Sequence, residues 1–342
     1  MWELPRSVGD SKAPRKISMP GMVNVAKALL AALLLLVWTE PATNAQEGRK
    51  EIRDLIFGVP SLGMTSFAVQ IASDKGFFAQ RTIKATMVLA RSSVIMAALV
   101  SGNIQFSNST GSATRAALQG LPVRVIAYFQ TEPFSLVVRP EINSIGDLKG
   151  KTIGLAELAS NNGVYLAHAL ELGRLSLRDV KPLAMTDEGR VQGLLTKQID
   201  GAITSPPRTQ QLVAQGMRLL TGPEVSDIPS NGLVTSVRLL EKEPELVKSM
   251  LEALIDAVLW ARANPDASVS YFADKYKFPA SMAAAAYKQQ MEVLRWKITD
   301  EQLQRAIKVA LQAVGTSQRA QIADAVDLSS YREILRRRGL AE

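Results

Sequence analysis

The chain has no cysteine and a single histidine, His168, among its 342 residues. Disulfides, thiolate metal sites and a cysteine nucleophile are therefore excluded, and stability has to come from packed cores. A lipid anchor on a cysteine behind a leader is excluded for the same reason. Any Ser–His–Asp triad would have to use His168, which stands in Leu166-Ala167-His168-Ala169-Leu170. An imidazole in the middle of an apolar helical stretch reads as structural. Neither Gly-x-Ser-x-Gly nor His-Glu-x-x-His occurs, so two common hydrolase signatures are missing. No basic stripe interleaved with aromatics is present, and nucleic acid is not an expected partner.

Long apolar runs are scarce too. Ala28–Trp38 is an uninterrupted run of eleven residues behind Lys27, whereas a spanning helix needs roughly 20. Eleven suits the core of a secretory signal, and Thr43-Asn44-Ala45 supplies small residues for cleavage ahead of Gln46. Residues 1–45 are accordingly read as a signal peptide, with Met19 and Met22 as alternative starts. An uncleaved anchor is the competing reading. The formal charge is +8, and residues 1–45 hold five basic and three acidic side chains. The remainder stays basic by about +6, a balance that favours anionic ligands.

What is present is ordinary globular material, 47% hydrophobic and 21% charged, enough for two lobes with their own cores. Apolar patterning predicts strands at 52–59, 83–89, 104–107 and 123–129, alternating with helices that stop at Gly76, Gly102 and Gly120. After Glu132-Pro133 the chain is expected to cross in extended form through Phe134–Arg139. The alternation then restarts, with strands expected at 151–155, 182–185 and 200–204 around helices at 162–172 and 188–197. Strand–helix alternation of this kind implies α/β architecture with mostly parallel sheets. Two segments 95 residues apart, Leu99–Phe106 and Leu194–Gly201, both run from a helix end through a polar turn into a strand. Beyond Asn231-Gly232 the character changes to helices, with Pro244 and Pro265 at first-turn positions. Val247, Met250, Leu251, Leu254, Val258 and Ala261 form one apolar stripe there.

The stretch Asp147-Leu148-Lys149-Gly150-Lys151-Thr152-Ile153-Gly154 decides between two families. Gly150-Lys151-Thr152 suggests a phosphate-binding loop, but the upstream glycine, Gly146, leaves three residues between instead of four. Thr152-Ile153-Gly154-Leu155 also reads as a strand, not as the helix that such a loop opens. An acidic-leucine turn followed by Gly-Lys-Thr-Ile-Gly instead resembles the start of the second lobe in periplasmic substrate-binding proteins of ABC transporters. The nitrate, sulfonate, taurine and thiamine-pyrimidine type is the most similar. The resemblance runs in order over roughly residues 51–280, with Asn264-Pro265-Asp266-Ala267 a further shared phrase.

That resemblance implies a two-lobed (type II) periplasmic-binding-protein fold. Lobe 1 would comprise residues 46–141 and 223–342 with a helical C-terminal tail, and lobe 2 residues 142–222. It implies an exported, monomeric, cofactor-free receptor in the periplasm that captures a small-molecule solute between its lobes. The solute would pass to an ABC transporter permease with its ATPase, without turnover. The alternative is an enzyme of pyrimidine-precursor metabolism on the same fold. The yeast pyrimidine synthases of that kind use a cysteine-rich motif, and this chain has no cysteine. Pro206-Pro207 stands where many relatives place an aromatic or acidic residue, so the solute is not inherited with the family.

In open α/β sheets ligands bind at loops after strands. Here those loops are rich in hydroxyls and amides: Ser61, Thr65 and Ser66; Ser92 and Ser93; Asn108, Ser109, Thr110 and Ser112; Ser160, Asn161 and Asn162. Each group precedes an expected helix, whose free N–H groups hold anions or carbonyls. The plainer reading of each is a helix cap. As a set from two lobes they are the candidate ligand-binding residues, with Arg91 and Arg208 as possible partners for an acidic ligand. If the leader reading holds, N-terminal sequencing of the exported protein is expected to begin at Gln46. A mature chain that retains Leu33–Leu36 refutes it.

Overall fold

Leu55, Phe57 and Val59 alternate along β1 (Arg53–Val59), and all three are buried in the core. The computed structural model describes residues 52–314 and 321–340; the leader and its cleavage position lie outside them. The first sheet runs β2 (Ile83–Leu89), β1, β3 (Phe106–Ser107), β10 (Pro229–Ser236), β4 (Val123–Thr131). The second runs β7 (Lys181–Ala184), β6 (Thr152–Leu155), β8 (Gly201–Thr204), β5 (Ser135–Val138), β9 (Arg218–Thr221). In each, three strands are parallel and the fourth is antiparallel to both neighbours. Four strands of each sheet thus run one way and one runs against them, so the sheets are mixed and share one topology. The two segments matched 95 residues apart lead into β3 and β8, which hold the same third place.

The crossing expected at Phe134–Arg139, and a return crossing and second hinge expected near Ser230–Thr235, are largely strands instead. Ser135-Leu136-Val137-Val138 is fully buried and pairs with β8 and β9, so the second sheet begins at Ser135, ahead of the expected boundary at 142. Likewise β10 is buried along its whole length in the first sheet. The physical reason is plain: runs of β-branched and small residues inside a core satisfy their backbone only by pairing. The crossings are the pieces just ahead of these strands, Glu132-Pro133-Phe134 and residues 222–228.

Each sheet lies between two helical layers. On one face of the first sheet α1 (Phe67–Asp74) packs against α8 (Pro244–Ala263), whose stripe from Val247 to Ala261 is buried. The other face carries α2 (Ser92–Ser101), α3 (Thr110–Leu118) and α11 (Asp300–Val314). The second sheet holds α4 (Asn161–Glu171) on one side, and α5 (Asp187–Leu195) with α6 (Arg208–Ala214) on the other. The remaining helices are α7 (Val237–Lys242), α9 (Pro265–Tyr276), α10 (Ala280–Val293) and α12 (Ser329–Arg337). The tail also covers the outer edge of β4: Val125 N–H donates to Ala325 and Asp327 N–H to Val125, at 3.0 and 2.9 Å. That pairing removes an exposed sheet edge. Gln289, on α10, reaches the second sheet through Ser135 Oγ at 3.2 Å.

The octet forms a tight entrance to β6. Asp147 accepts the Ser144 N–H at 2.9 Å in a capping box, and Gly150 takes the left-handed conformation at φ 75°. A strand follows, so no phosphate loop forms. Among the described residues no helix is long and apolar enough to cross a membrane.

Gly232 is required where β10 meets β4, because a Cβ there would lie 1.7 Å from the Ala127 carbonyl oxygen. Backbone in the middle of a ladder cannot yield as a side chain does. Gly232→Ala is therefore expected to cost about 3 kcal/mol of stability, measured as a lowered midpoint of urea unfolding. An unchanged midpoint would contradict this packing.

Candidate functional site

The C-terminal ends of β1, β3, β6 and β8 point toward one gap between the sheets, and their loops wall a cavity of about 60 Å³. From the first sheet come Ser61, Thr65, Ser92, Asn108, Ser109 and Ser112; from the second come Ser160, Asn161 and Asn162. Nine of the twelve residues singled out from sequence thus share this wall. Ser66 and Thr110 stand behind it: Ser66 Oγ accepts from Asn108 Nδ2 at 3.1 Å, and Thr110 is fully buried. Ser93 is exposed, at 3.4 Å from the Glu157 carboxylate. Arg91 is exposed, and Arg208 pairs with Glu188 at 2.8 Å outside the cavity. His168 is half-buried on α4, away from the cavity, its pKa lowered by burial.

Capping explains little of the set. Ser160 Oγ accepts the Asn162 N–H at 3.2 Å, but α2 and α3 begin without any side-chain cap. What several of these groups do instead is reach across the gap. Asn161 Nδ2 donates to Ser230 Oγ at 2.6 Å, Ser112 Oγ to the Ala159 carbonyl at 3.1 Å, and Ser61 Oγ to Asp187 Oδ2 at 2.5 Å. Met64 N–H donates to the Pro206 carbonyl at 3.1 Å. Gly111 permits the approach, since a Cβ there would fall 1.6 Å from Asn161 Oδ1.

Arg190 and Asp187 line the same cavity from α5. The Arg190 guanidinium is buried, ion-paired with Asp187, and donates to the Met185 carbonyl at 3.0 Å. Burial lowers its pKa, while the charges of Asp187 and Glu188 oppose that shift. Arg190 Nε, Asn108 Oδ1 and Asn231 Nδ2 are buried polar atoms with no hydrogen-bond partner among the described residues. Each such atom costs about 1–3 kcal/mol when left unpaired. Asn231 sits within β10 at φ 46°, a left-handed conformation that asparagine tolerates better than most residues.

The family described as NMT1/THI5 like matches residues 65–268. The chain belongs to the NMT1/THI5-like family. It is 27% identical over 242 residues to the riboflavin-binding protein RibY of Chloroflexus aurantiacus, a match covering 66% of each chain, just under two thirds of that relative's length. Its fold is shared with the alkanesulfonate-binding protein SsuA from Xanthomonas axonopodis pv. citri bound to MOPS. That likeness has a TM-score of 0.71 and 18% identity, over 81% of this chain and 99% of that one. The desulfurization enzyme DszB shares the fold as well, at a TM-score of 0.60 and 16% identity, over 83% and 99% of the two chains. The architecture is therefore the two-lobed periplasmic-binding-protein fold.

Sequence reasoning missed Asp187, Arg190, Ser205, Phe134 and Asn231 on the cavity wall of this NMT1/THI5-like chain. Thr186-Asp187-Glu188 carries a visible helix-start signal, since Thr186 Oγ1 accepts the Gly189 N–H at 3.1 Å. Nothing local marks the turn of that helix that faces the gap. Also missed was Glu132, in the first crossing, which is 1% exposed, with neither carboxyl oxygen in a hydrogen bond among the described residues. Burial pushes its pKa up to about 8, opposed by the Ser226 hydroxyl and the Arg115 charge and reinforced by Asp227. Arg115, itself buried, donates across the gap to the Ala159 carbonyl.

A carboxyl with a raised folded pKa favours folding while it is protonated. Its contribution is full below the ordinary value of 4.5 and is lost as pH rises through about 8. Glu132→Gln is expected to flatten the fall in stability between pH 5 and 9. At pH 9 it should leave the variant more stable than the wild type by on the order of 2–4 kcal/mol. Parallel pH profiles for the two proteins would count against this assignment.

Proposed function

We propose that the protein is an exported solute-binding receptor of an ABC importer. It closes two lobes, one around each sheet, on a small polar, anionic organic solute in the periplasm. It delivers that solute to a permease and its ATPase without chemical change. The observation that carries this reading is the cavity itself, walled by polar loops from both sheets and closed by direct hydrogen bonds across the gap. The crossings at Glu132–Phe134 and 222–228 are the segments about which such lobes hinge. An acceptor-rich group suits the uncapped starts of α2 and α3, where N–H groups and the helix dipole favour negative charge. Arg190 adds a buried guanidinium, ion-paired with Asp187, on the opposite wall.

A solute present at 100 times its dissociation constant stabilises the folded state by about 2.7 kcal/mol. At roughly 2–4 °C per kcal/mol, a melting shift of several degrees is expected. The panel to test contains sulfonates, nitrate, carboxylates, pyrimidines and flavins; RibY and SsuA are the reason for including flavins and MOPS. Asn161→Ala is expected to abolish the shift while the unliganded melting point stays within a few degrees. A shift that survives the substitution would remove the cavity from this role. Because DszB is an enzyme on this fold, each hit is also assayed for consumption, and a hit that is consumed replaces the receptor reading with an enzymatic one.

A further inference from the structure

The receptor reading names a place for the solute, and the unpaired atoms of residues that line it state what the solute must offer; this inference rests on that reading. Asn108, Asn231 and Arg190 are each more than nine-tenths buried and line the one cavity. The orientation of the Asn108 amide is settled by its partners: Nδ2 donates to the Thr65 carbonyl and to Ser66 Oγ, both at 3.1 Å. A carbonyl oxygen only accepts, so the amide cannot be turned round, and the atom left unpaired is an acceptor. Each terminal nitrogen of Arg190 makes one bond, to Met185 and to Asp187, and Nε is the guanidinium nitrogen left with no partner. Among the described residues no hydrogen bond orients the Asn231 amide, so it can turn either its N–H or its carbonyl oxygen to a solute.

Charge is already balanced within the wall. Asp187 pairs with Arg190 and also accepts the Ser61 hydroxyl from across the gap. The guanidinium therefore does not need a full negative charge from the solute, only an acceptor atom for Nε. A purely accepting anion such as nitrate or an alkyl sulfonate serves Arg190 Nε but leaves Asn108 Oδ1 unpaired. We propose that the cavity selects solutes with an N–H or O–H donor beside carbonyl- or carboxylate-type acceptors, with Asn108 reading the donor and Arg190 an acceptor.

Matched probes that differ in that donor test the proposal on the full-length exported protein. Glycolate is set against acetate, taurine against ethanesulfonate, and uracil against 1,3-dimethyluracil, with affinities from calorimetry. In every pair that shows binding, the donor-bearing member is expected to bind at least about tenfold more tightly, the worth of one buried hydrogen bond. Asn108→Ala is expected to reduce that preference to near unity. Arg190→Lys keeps a cation for Asp187 but loses the Nε–H, and is expected to weaken both members of a pair about tenfold while leaving their ratio intact. Should Asn108→Ala fail to fold, the wild-type ratios and Arg190→Lys still decide the matter. Acceptor-only members that bind as tightly as their partners overturn the donor requirement and leave the receptor reading standing. Binding by no member of any pair, or of the wider solute panel, removes both.

Discussion

Two short segments carry the chain from one sheet to the other, and they lie side by side. The Glu132 N–H donates to the Ile228 carbonyl at 3.1 Å, just beyond the rung that pairs Thr131 with Pro229. The relative placement of the sheets therefore depends on a handful of backbone angles at two adjacent points, the arrangement in which a hinge moves two bodies without disturbing either core. Glu132 is the unusual member. Burial disfavours the charged form of its carboxyl, and Arg115, whose charge opposes that effect, is engaged with Ala159 on the far side of the gap.

From that joint follows the polar character of the cavity. Loops at the ends of β1, β3, β6 and β8 meet with hydroxyls and amides, because each sheet presents the same edge to the other. Such groups bond to one another across the gap or to a solute with similar strength, since a hydrogen bond exchanged for another of its kind changes the free energy little. Ser61, Ser112 and Asn161 hold the gap closed with contacts that a solute can replace. Apolar residues in those positions would either seal the gap permanently or leave the lobes without specificity. The shared fold of a sulfonate-binding protein and a desulfurization enzyme agrees with this, because the scaffold brings two walls together and the residues on them determine what happens between.

Much of this was legible in the chain before folding. Strand–helix alternation, the glycine stops, the stripe from Val247 to Ala261 and the strand after Gly150 are local patterns, and local patterns follow from backbone sterics and the period of burial. The hydroxyl- and amide-rich loops were legible for the same reason: residues before helices are marked by composition. Two strands were misjudged. Ser135–Val138 and Pro229–Ser236 are short or interrupted by Asn231-Gly232, so they look like linkers until a partner strand exists.

The sequence by itself determined which segments become strands and helices, that no thiol chemistry is available, and that the loops after strands are polar. Only the tertiary structure decided that those loops share one cavity, that Arg190 turns inward beside Asp187, and that Asn108, Asn231 and Arg190 keep unpaired atoms there. The reason is physical. Periodicity encodes how a residue sits relative to its own neighbours in the chain, within a turn or a pleat. Pairing between residues 51, 69 or 126 positions apart, as in Asn161 with Thr110, Asn161 with Ser230 and Ser61 with Asp187, depends on how two sheets are docked, and no local pattern records that.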